Sequence, residues 1–366
     1  MKTKNVYLAL ILIGGISWGC TSKEDLSQES LESSINQSVE NLNTALDKIS
    51  SSAGYQVLDI SSSSADVPSL VKSSVTRVDS TYNNILLSDI AGVYEYKATS
   101  YQKGTAPTIR FFTKTAANDL MIVKLPTSKV KNYSELLKYR SADTTLTNNY
   151  VVTLTKYQDY FLNARIWEYE MASNINIDDV NAGDLQIQSS KSTKNGYKYA
   201  SRFNFADGYS IKCDYSDGDT AVCSYSIANA TGNLYNETYT SIRNKQDKRH
   251  HENKYSFSIG NIKIERKIGL NSLDSAKVYV NNILQTNATV EVIEVTNTTD
   301  EVDNSIVNKK RDLKITFDDG TSTTVSELLA TNSLDTIRSL FASLRKASFS
   351  TAVIDKIAWD IYSNKQ

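Results

Sequence analysis

Between residues 184 and 266 the chain repeats one unit, a run of alternating polarity closed by a few turn-forming residues. Tyr197 to Phe205, Tyr209 to Tyr215 and Thr220 to Ser226 are parted by Ala-Asp-Gly and by Ser-Asp-Gly-Asp. Leu234 to Ile242, Tyr255 to Ile259 and Ile262 to Ile268 extend the series. Successive strand residues point to opposite faces, and Asp-Gly tolerates the positive φ of tight hairpin turns. A period of two with such turns predicts an antiparallel β-meander. A helix bundle is excluded for this stretch.

The same signature is thinner on either side. Val93 to Lys97, Thr108 to Thr113, Leu120 to Leu125, Val151 to Leu154 and Phe161 to Glu170, the last carrying Trp167, read as strands. Val278 to Val280, Thr289 to Val295 and Leu313 to Phe317 read likewise beyond the meander. The ends are helical. Ile35, Val39, Leu42, Leu46 and Ile49 fall on one stripe, which Ser50 to Gly54 ends. Tyr133 to Tyr139 fits a turn or two of helix. Leu334, Ile337, Phe341 and Leu344 share a face behind Ser333 as N-cap, and Val353, Ile354, Ile357 and Ile361 share another. Ser348-Phe349-Ser350 fits the loop between these two helices.

The expected class is therefore α+β, a β-rich antiparallel body with an N-terminal helix and a C-terminal helical hairpin. At roughly 150 residues per domain, 366 residues predict about two domains. The divisions are a signal peptide at 1–19, a tether and amphipathic helix at 20–53, a β-rich domain at 54–178 and a second β domain at 179–366. The inner boundary is expected near Asn174 to Gly183.

The start of the chain carries an address. Lys2 and Lys4 precede an apolar run from Val6 to Ile16. Eleven residues span about 16 Å as a helix, roughly half a bilayer core, which fits a signal peptide and not an anchor. Ser17-Trp18-Gly19-Cys20 follows and resembles a bacterial lipobox, in which the cysteine thiol takes a diacylglycerol before cleavage. Trp18 departs from the small or aliphatic residues usual there. Lys23-Glu24-Asp25 resembles the export signal of surface-exposed lipoproteins of the Bacteroidota. The resemblance covers about 25 residues, says nothing of the body, and implies attachment to the outer membrane by lipid on Cys20, facing outwards. Asp-Ser/Thr signals resembling O-glycosylation sites of the same bacteria fall on Ser80, Thr144, Thr220 and Ser275, with a weaker one at Thr336.

Composition narrows the chemistry. Lys+Arg number 40 against Asp+Glu 41, a net of −1, so no basic footprint for nucleic acid exists. The only two histidines, His250 and His251, sit in a charged segment from Asn244 to Lys254, where adjacent side chains diverge and do not chelate one ion. Asp214, Ser216, Asp217 and Asp219 lack the terminal glutamate of a calcium loop, and they read, like Asp318-Asp319-Gly320, as hairpin turns. Glu168 and Glu170 share a strand face at about 7 Å, a spacing a glycosidase uses and wet sheets also show. No phosphate-binding glycine loop is present, and no cofactor or metal is expected.

Tyr is the dominant aromatic, 22 against Phe 9 and Trp 3. Tyr94, Tyr96, Tyr197, Tyr199, Tyr209, Tyr215 and Tyr225 lie on predicted strands, as sheet-covering residues or as an aromatic platform for sugars or apolar ligands. Cys213 and Cys223 face each other across a three-residue Asp217-Gly218-Asp219 loop, and that register predicts a disulfide in an exported protein. A two-residue Asp217-Gly218 turn sets them on opposite faces instead, and both registers stand. The functional expectation is a non-enzymatic surface lipoprotein that binds a glycan or protein. The alternatives are an assembly subunit of an envelope complex and a carboxylate-dependent hydrolase.

Overall fold

The computed structural model describes residues 28–62, 82–97, 111–130, 146–243, 251–268, 276–296, 309–329, 331–346 and 348–365. The protein is α+β and β-rich, built on a 15-stranded, almost wholly antiparallel sheet. Helices α1 (Gln28–Ser51) and α2 (Ala53–Ser62) come first. β1 (Asn83–Leu86), α3 (Leu87–Ile90), β2 (Gly92–Tyr96), β3 (Phe112–Ala116), β4 (Met121–Leu125) and α4 (Thr127–Val130) follow.

The meander then runs through β5 (Tyr150–Asn163), β6 (Ile166–Ile177), β7 (Val180–Ser192), β8 (Gly196–Phe205), β9 (Ser210–Asp217) and β10 (Thr220–Asn229). It continues through β11 (Gly232–Arg243), β12 (His251–Ile259), β13 (Ile262–Ile268), β14 (Ala276–Val280) and β15 (Ile283–Gln285), each strand paired with the next. Beyond β5 the sheet continues through β4, β2 and β3, with β2 parallel to β4 and with β1 also against β5. A small second sheet holds β16 (Thr289–Thr296), β17 (Lys309–Thr316) and β18 (Ser322–Thr324). Helices α5 (Val325–Leu328), α6 (Thr331–Lys346) and α7 (Ser348–Ser363) close the chain.

One face of the large sheet is apolar and carries the helices. Met171, Ile175, Leu185, Phe203, Ile211, Ile227, Ile259, Ile264 and Val280 are buried on it. α2 packs on β7, α6 on β8 and β9, and α1 on β11 and β12. The opposite face reads Glu170, Gln188, Ala200, Asp214, Ser224, Thr238, Ser256, Glu265 and Lys277 along one cross-strand row. Strict alternation thus sorts the chain into a helix-bearing face and a wet one.

Several expectations change on contact with the structure. Phe161 to Glu170 is not one strand, because Asn163 accepts from the backbone N–H of Arg165 (2.8 Å) and Ile166 (3.1 Å) and turns the chain. Ser50 to Gly54 interrupts the helix only at Ser52, whose hydroxyl accepts from Tyr55 N–H and starts α2. Gly54 is required there, since a Cβ would lie 2.6 Å from both the Ala182 carbonyl and the Phe205 ring. Ser333 is not an N-cap: α6 begins at Thr331, and the Ser333 hydroxyl donates to Asn43 on α1 at 2.8 Å. Ser348 to Ser350 is no loop but the first turn of α7.

The boundary expected near Asn174 to Gly183 falls inside the β6–β7 hairpin, paired from Trp167↔Lys191 to Ile177↔Val180. Asp178 and Asp179 form its turn at φ 51° and 63°. Tyr133 to Tyr139 lies outside the described residues.

Candidate functional site

The register explains how the helix-bearing face changes along its strands. On β9 the inward series is Ile211 at 0% exposure, Cys213 at 2% and Tyr215 at 37%. On β11 it is Tyr235 at 5%, then half-buried Glu237, then Tyr239 at 41%. On β6 it is Ile175, Ser173, Met171 and Tyr169, all buried, then half-buried Trp167. One half of the face is therefore covered by helices. The other half is open and aromatic.

Polar contacts mark the border between the halves. The Tyr157 and Tyr169 hydroxyls both donate to the Asp355 carboxylate of α7, at 2.9 and 3.1 Å. Burial, then the charge of Asp355, raises both phenols well above the ordinary tyrosine pKa. Farther along, the Tyr235 and Tyr255 hydroxyls donate to Glu237 at 3.1 and 3.2 Å. Desolvation and the neighbouring Glu237 charge raise both of these pKa values too.

In the open half the rings form a series. Trp167 lies 5.8 Å from Tyr197, and Tyr197 lies 5.7 Å from Tyr215, with interplanar angles of 49° and 46°. Lys191, exposed on β7, pairs with both Trp167 and Tyr197 in register and stands between them. Asp217 and Arg243 close the far side with an ion pair of 3.2 Å. Desolvation, then neighbouring Tyr199 and Tyr215, push the Tyr197 phenol up to about 12, so it remains a hydrogen-bond donor throughout the physiological range. Tyr215 is raised for the same first reason, with Asp217 and Cys223 adding and Arg243 opposing.

The seven tyrosines singled out in the sequence thus divide. Tyr94 and Tyr96 are buried at 7% and 4%. Tyr225 packs its ring on Phe341 of α6 at 5.0 Å, and Tyr209 lies under the Lys48 ammonium of α1. Tyr197, Tyr199 and Tyr215 are what remain for a platform. Trp167 and Tyr239 join them, a grouping that no local pattern announces because the residues meet only through strand register.

On the wet face, Glu168 and Glu170 border a shallow depression of about 490 Å³ with Gln188, Ser190, Lys198 and Asp214. Burial works against Glu170's ionisation, but hydrogen bonds from Lys156 and Gln188 (both 2.7 Å) outweigh it and hold the carboxyl below its usual range. A glycosidase general acid needs the reverse.

The acidic hairpin is dispersed by alternation. Asp214 and Ser216 lie on the wet face and Asp217 on the other, with Asp214 paired to Lys212 at 2.8 Å. Among the described residues no group of three or more His, Cys, Asp or Glu is placed to hold a metal. Asp318 accepts from the backbone N–H of Thr286 (2.9 Å) and Asn287 (2.6 Å), and so ties the two sheets together. His251 opens β12 opposite Arg243, so the charged segment is strand from that residue onward, while His250 lies outside the described residues.

The disulfide expectation is corrected. Cys213 pairs with Tyr225 and Cys223 with Tyr215, so neither expected register holds and the cysteines are diagonal neighbours on one face. Diagonal positions are about 7–8 Å apart, beyond the reach of an undistorted bridge, and neither thiol is bridged. Thr220 is exposed at the start of β10. Cys20, Lys23, Glu24, Asp25, Ser80, Thr144 and Ser275 lie outside the described residues. Compared with protein-family models, curated proteins and solved structures, the chain shows no match.

Proposed function

We propose that this chain is an outer-membrane lipoprotein displayed on the cell surface, and that its sheet is a non-enzymatic binding module. The lipid on Cys20 and the Lys23-Glu24-Asp25 signal supply the location. The observation that carries the binding reading is the Trp167–Tyr197–Tyr215 ring series, set beside exposed Tyr239 in the half of the face that the helices leave open. Aromatic faces with polar rims are the usual anchors of ligand surfaces. The ligand is a glycan or a protein at that surface.

Location and binding are tested separately. Cys20→Ala moves the chain out of the membrane fraction, and alanines at Lys23, Glu24 and Asp25 remove its protease accessibility on intact cells while lipidation persists. Unchanged partition of the first variant would remove the anchor, and unchanged accessibility of the second would remove the display signal. For binding, ligand retained from envelope and host extracts is compared between wild type and Tyr197→Ala/Tyr215→Ala. Equal retention of the same ligand would place binding elsewhere on the molecule.

An assembly role is the second reading. Tyr82, Leu86 and Leu162 are 60%, 40% and 41% exposed where β1 meets β5. A stable stoichiometric complex lost on Leu86→Asp and kept in Tyr197→Ala/Tyr215→Ala would favour it.

A further inference from the structure

We infer that the open aromatic strip takes a single, twisted chain of a neutral polysaccharide, and not the flat face of a crystalline one. This rests on the binding reading above and names its ligand class. Four observations carry it.

The first is ring inclination. Trp167 to Tyr197 turns by 49° and Tyr197 to Tyr215 by 46°. Docking on a crystal face requires coplanar rings, because every ring must meet the same plane. Rings inclined to one another at such angles cannot share one plane, whereas a single chain can turn its own residues to meet each of them.

The second is spacing. The two steps are nearly equal, 5.8 and 5.7 Å, although Trp167 and Tyr197 are two strands apart and Tyr197 and Tyr215 only one. A regular ladder suits a polymer of like units. From β6 to Tyr239 on β11 the surface extends about 24 Å at the usual strand spacing, room for several sugar rings.

The third is the rim. Lys191 stands within the row, and Asp217 and Arg243 flank it as an ion pair. Sugar hydroxyls both donate and accept, and this rim offers both functions beside faces that receive sugar C–H groups. An apolar ligand would desolvate Lys191 and the ion pair without supplying a hydrogen bond to either, which costs free energy.

The fourth is charge. Arg243 is matched by Asp217, which leaves Lys191 as the cation standing within the ring series, one charge where an acidic polymer would present one on every unit. A neutral chain fits best.

The test uses the full-length chain in detergent. Laminarin, soluble amylose and soluble xylan are titrated by calorimetry, and depletion by microcrystalline cellulose is measured in parallel. We expect at least one soluble chain to bind, about tenfold more weakly in Trp167→Ala and in Tyr215→Ala, with Arg202→Ala on the wet face unchanged. Should Trp167→Ala fold poorly, Tyr239→Ala, at a ring already 41% exposed, replaces it.

Binding to cellulose but to no soluble chain, lost in Tyr215→Ala, overturns the twisted-chain inference and leaves the strip as a binding surface. Soluble binding equal in all variants overturns both. Binding to no carbohydrate overturns the inference, and the extract comparison then decides the binding reading alone.

Discussion

The two halves of the helix-bearing face differ although they lie on the same strands. In the covered half, β8 presents Phe203 and Phe205 at 0% and 3% exposure, and their rings meet edge-on at 4.9 Å beneath Gly54 of α2. In the open half the same strand presents Tyr199 and Tyr197, half-buried, with hydroxyls and a charged rim in reach. Phenylalanine gives way to tyrosine within one strand, on passing from beneath Gly54 of α2 to the level of Lys191. A meander whose helices stop short has to finish its face with residues that tolerate both a sheet and water, and tyrosine does so. Covered residues serve stability. Open ones are released from that constraint and are available for recognition.

The sharpest way to break this comparison is to remove one ring from each half. Phe203→Ala deletes a fully buried aromatic among well-packed neighbours and should cost about 3–5 kcal/mol. Tyr239→Ala removes a ring already 41% exposed and should cost about 1 kcal/mol or less. Urea unfolding followed by far-ultraviolet circular dichroism measures both. Comparable losses would mean that the open half is part of the core.

The border should come next in magnitude. Asp355→Ala strands two buried phenol hydroxyls, Tyr157 and Tyr169, at about 1–3 kcal/mol each before relaxation. Asp355→Asn keeps an acceptor and should recover part of the loss. If both variants melt with the wild type, α7 is not held to the sheet through this carboxylate.

Alkali tests the same border with a sign that can be worked out. Tyr157 and Tyr169 titrate well above 10 in the folded state and near 10 when unfolded, so between those values the folded chain binds more protons. Their stabilisation is complete below pH 10 and is lost as pH rises above it, by about 1.4 kcal/mol per pH unit for each tyrosine. Tyr157→Phe/Tyr169→Phe should flatten that fall by about 3 kcal/mol per unit. An unaltered slope would assign the alkaline loss to other groups.

Much of the fold was legible because alternation is a local property. β8 to β13 lie where the Tyr, Val and Ile runs and the Asp-Gly turns put them. Pairing was less legible. The β9–β10 register depends on turn geometry, and a shift of two residues keeps every side chain on its face, so polarity cannot choose between Cys213↔Cys223 and the observed Cys213↔Tyr225. α2 escaped notice because a ten-residue helix holding Gly54 and Val57 has little intrinsic stability and forms on the sheet beneath it. The candidate site was half legible. Tyr197 and Tyr215 stood out, but Tyr225, Tyr157 and Tyr169 are covered by packing on Phe341 and Asp355, more than a hundred residues later in the chain.

The smallest effect divides the halves most finely. Cys213 and Cys223 occupy neighbouring rows of one hairpin, the first 2% exposed on the covered side, the second half-buried beside Tyr215 and Tyr239. Thiol chemistry requires access of the reagent to the thiolate, and a cysteine under packed helices reacts only when the structure opens. A maleimide reagent on the native chain should therefore modify Cys223 within minutes and Cys213 at the rate of unfolding. In denaturant without reductant both should react, because neither is bridged. Cys223→Ser should change stability by about 0.5 kcal/mol or less, whereas Cys213→Ser buries a hydroxyl between Ser201 and Tyr225 and should cost about 1–3 kcal/mol. Equal native reactivity would erase the border between the halves at this hairpin. Absence of both thiols in the denatured, unreduced chain would restore the bridge and require the β9–β10 ladder to shift by two residues.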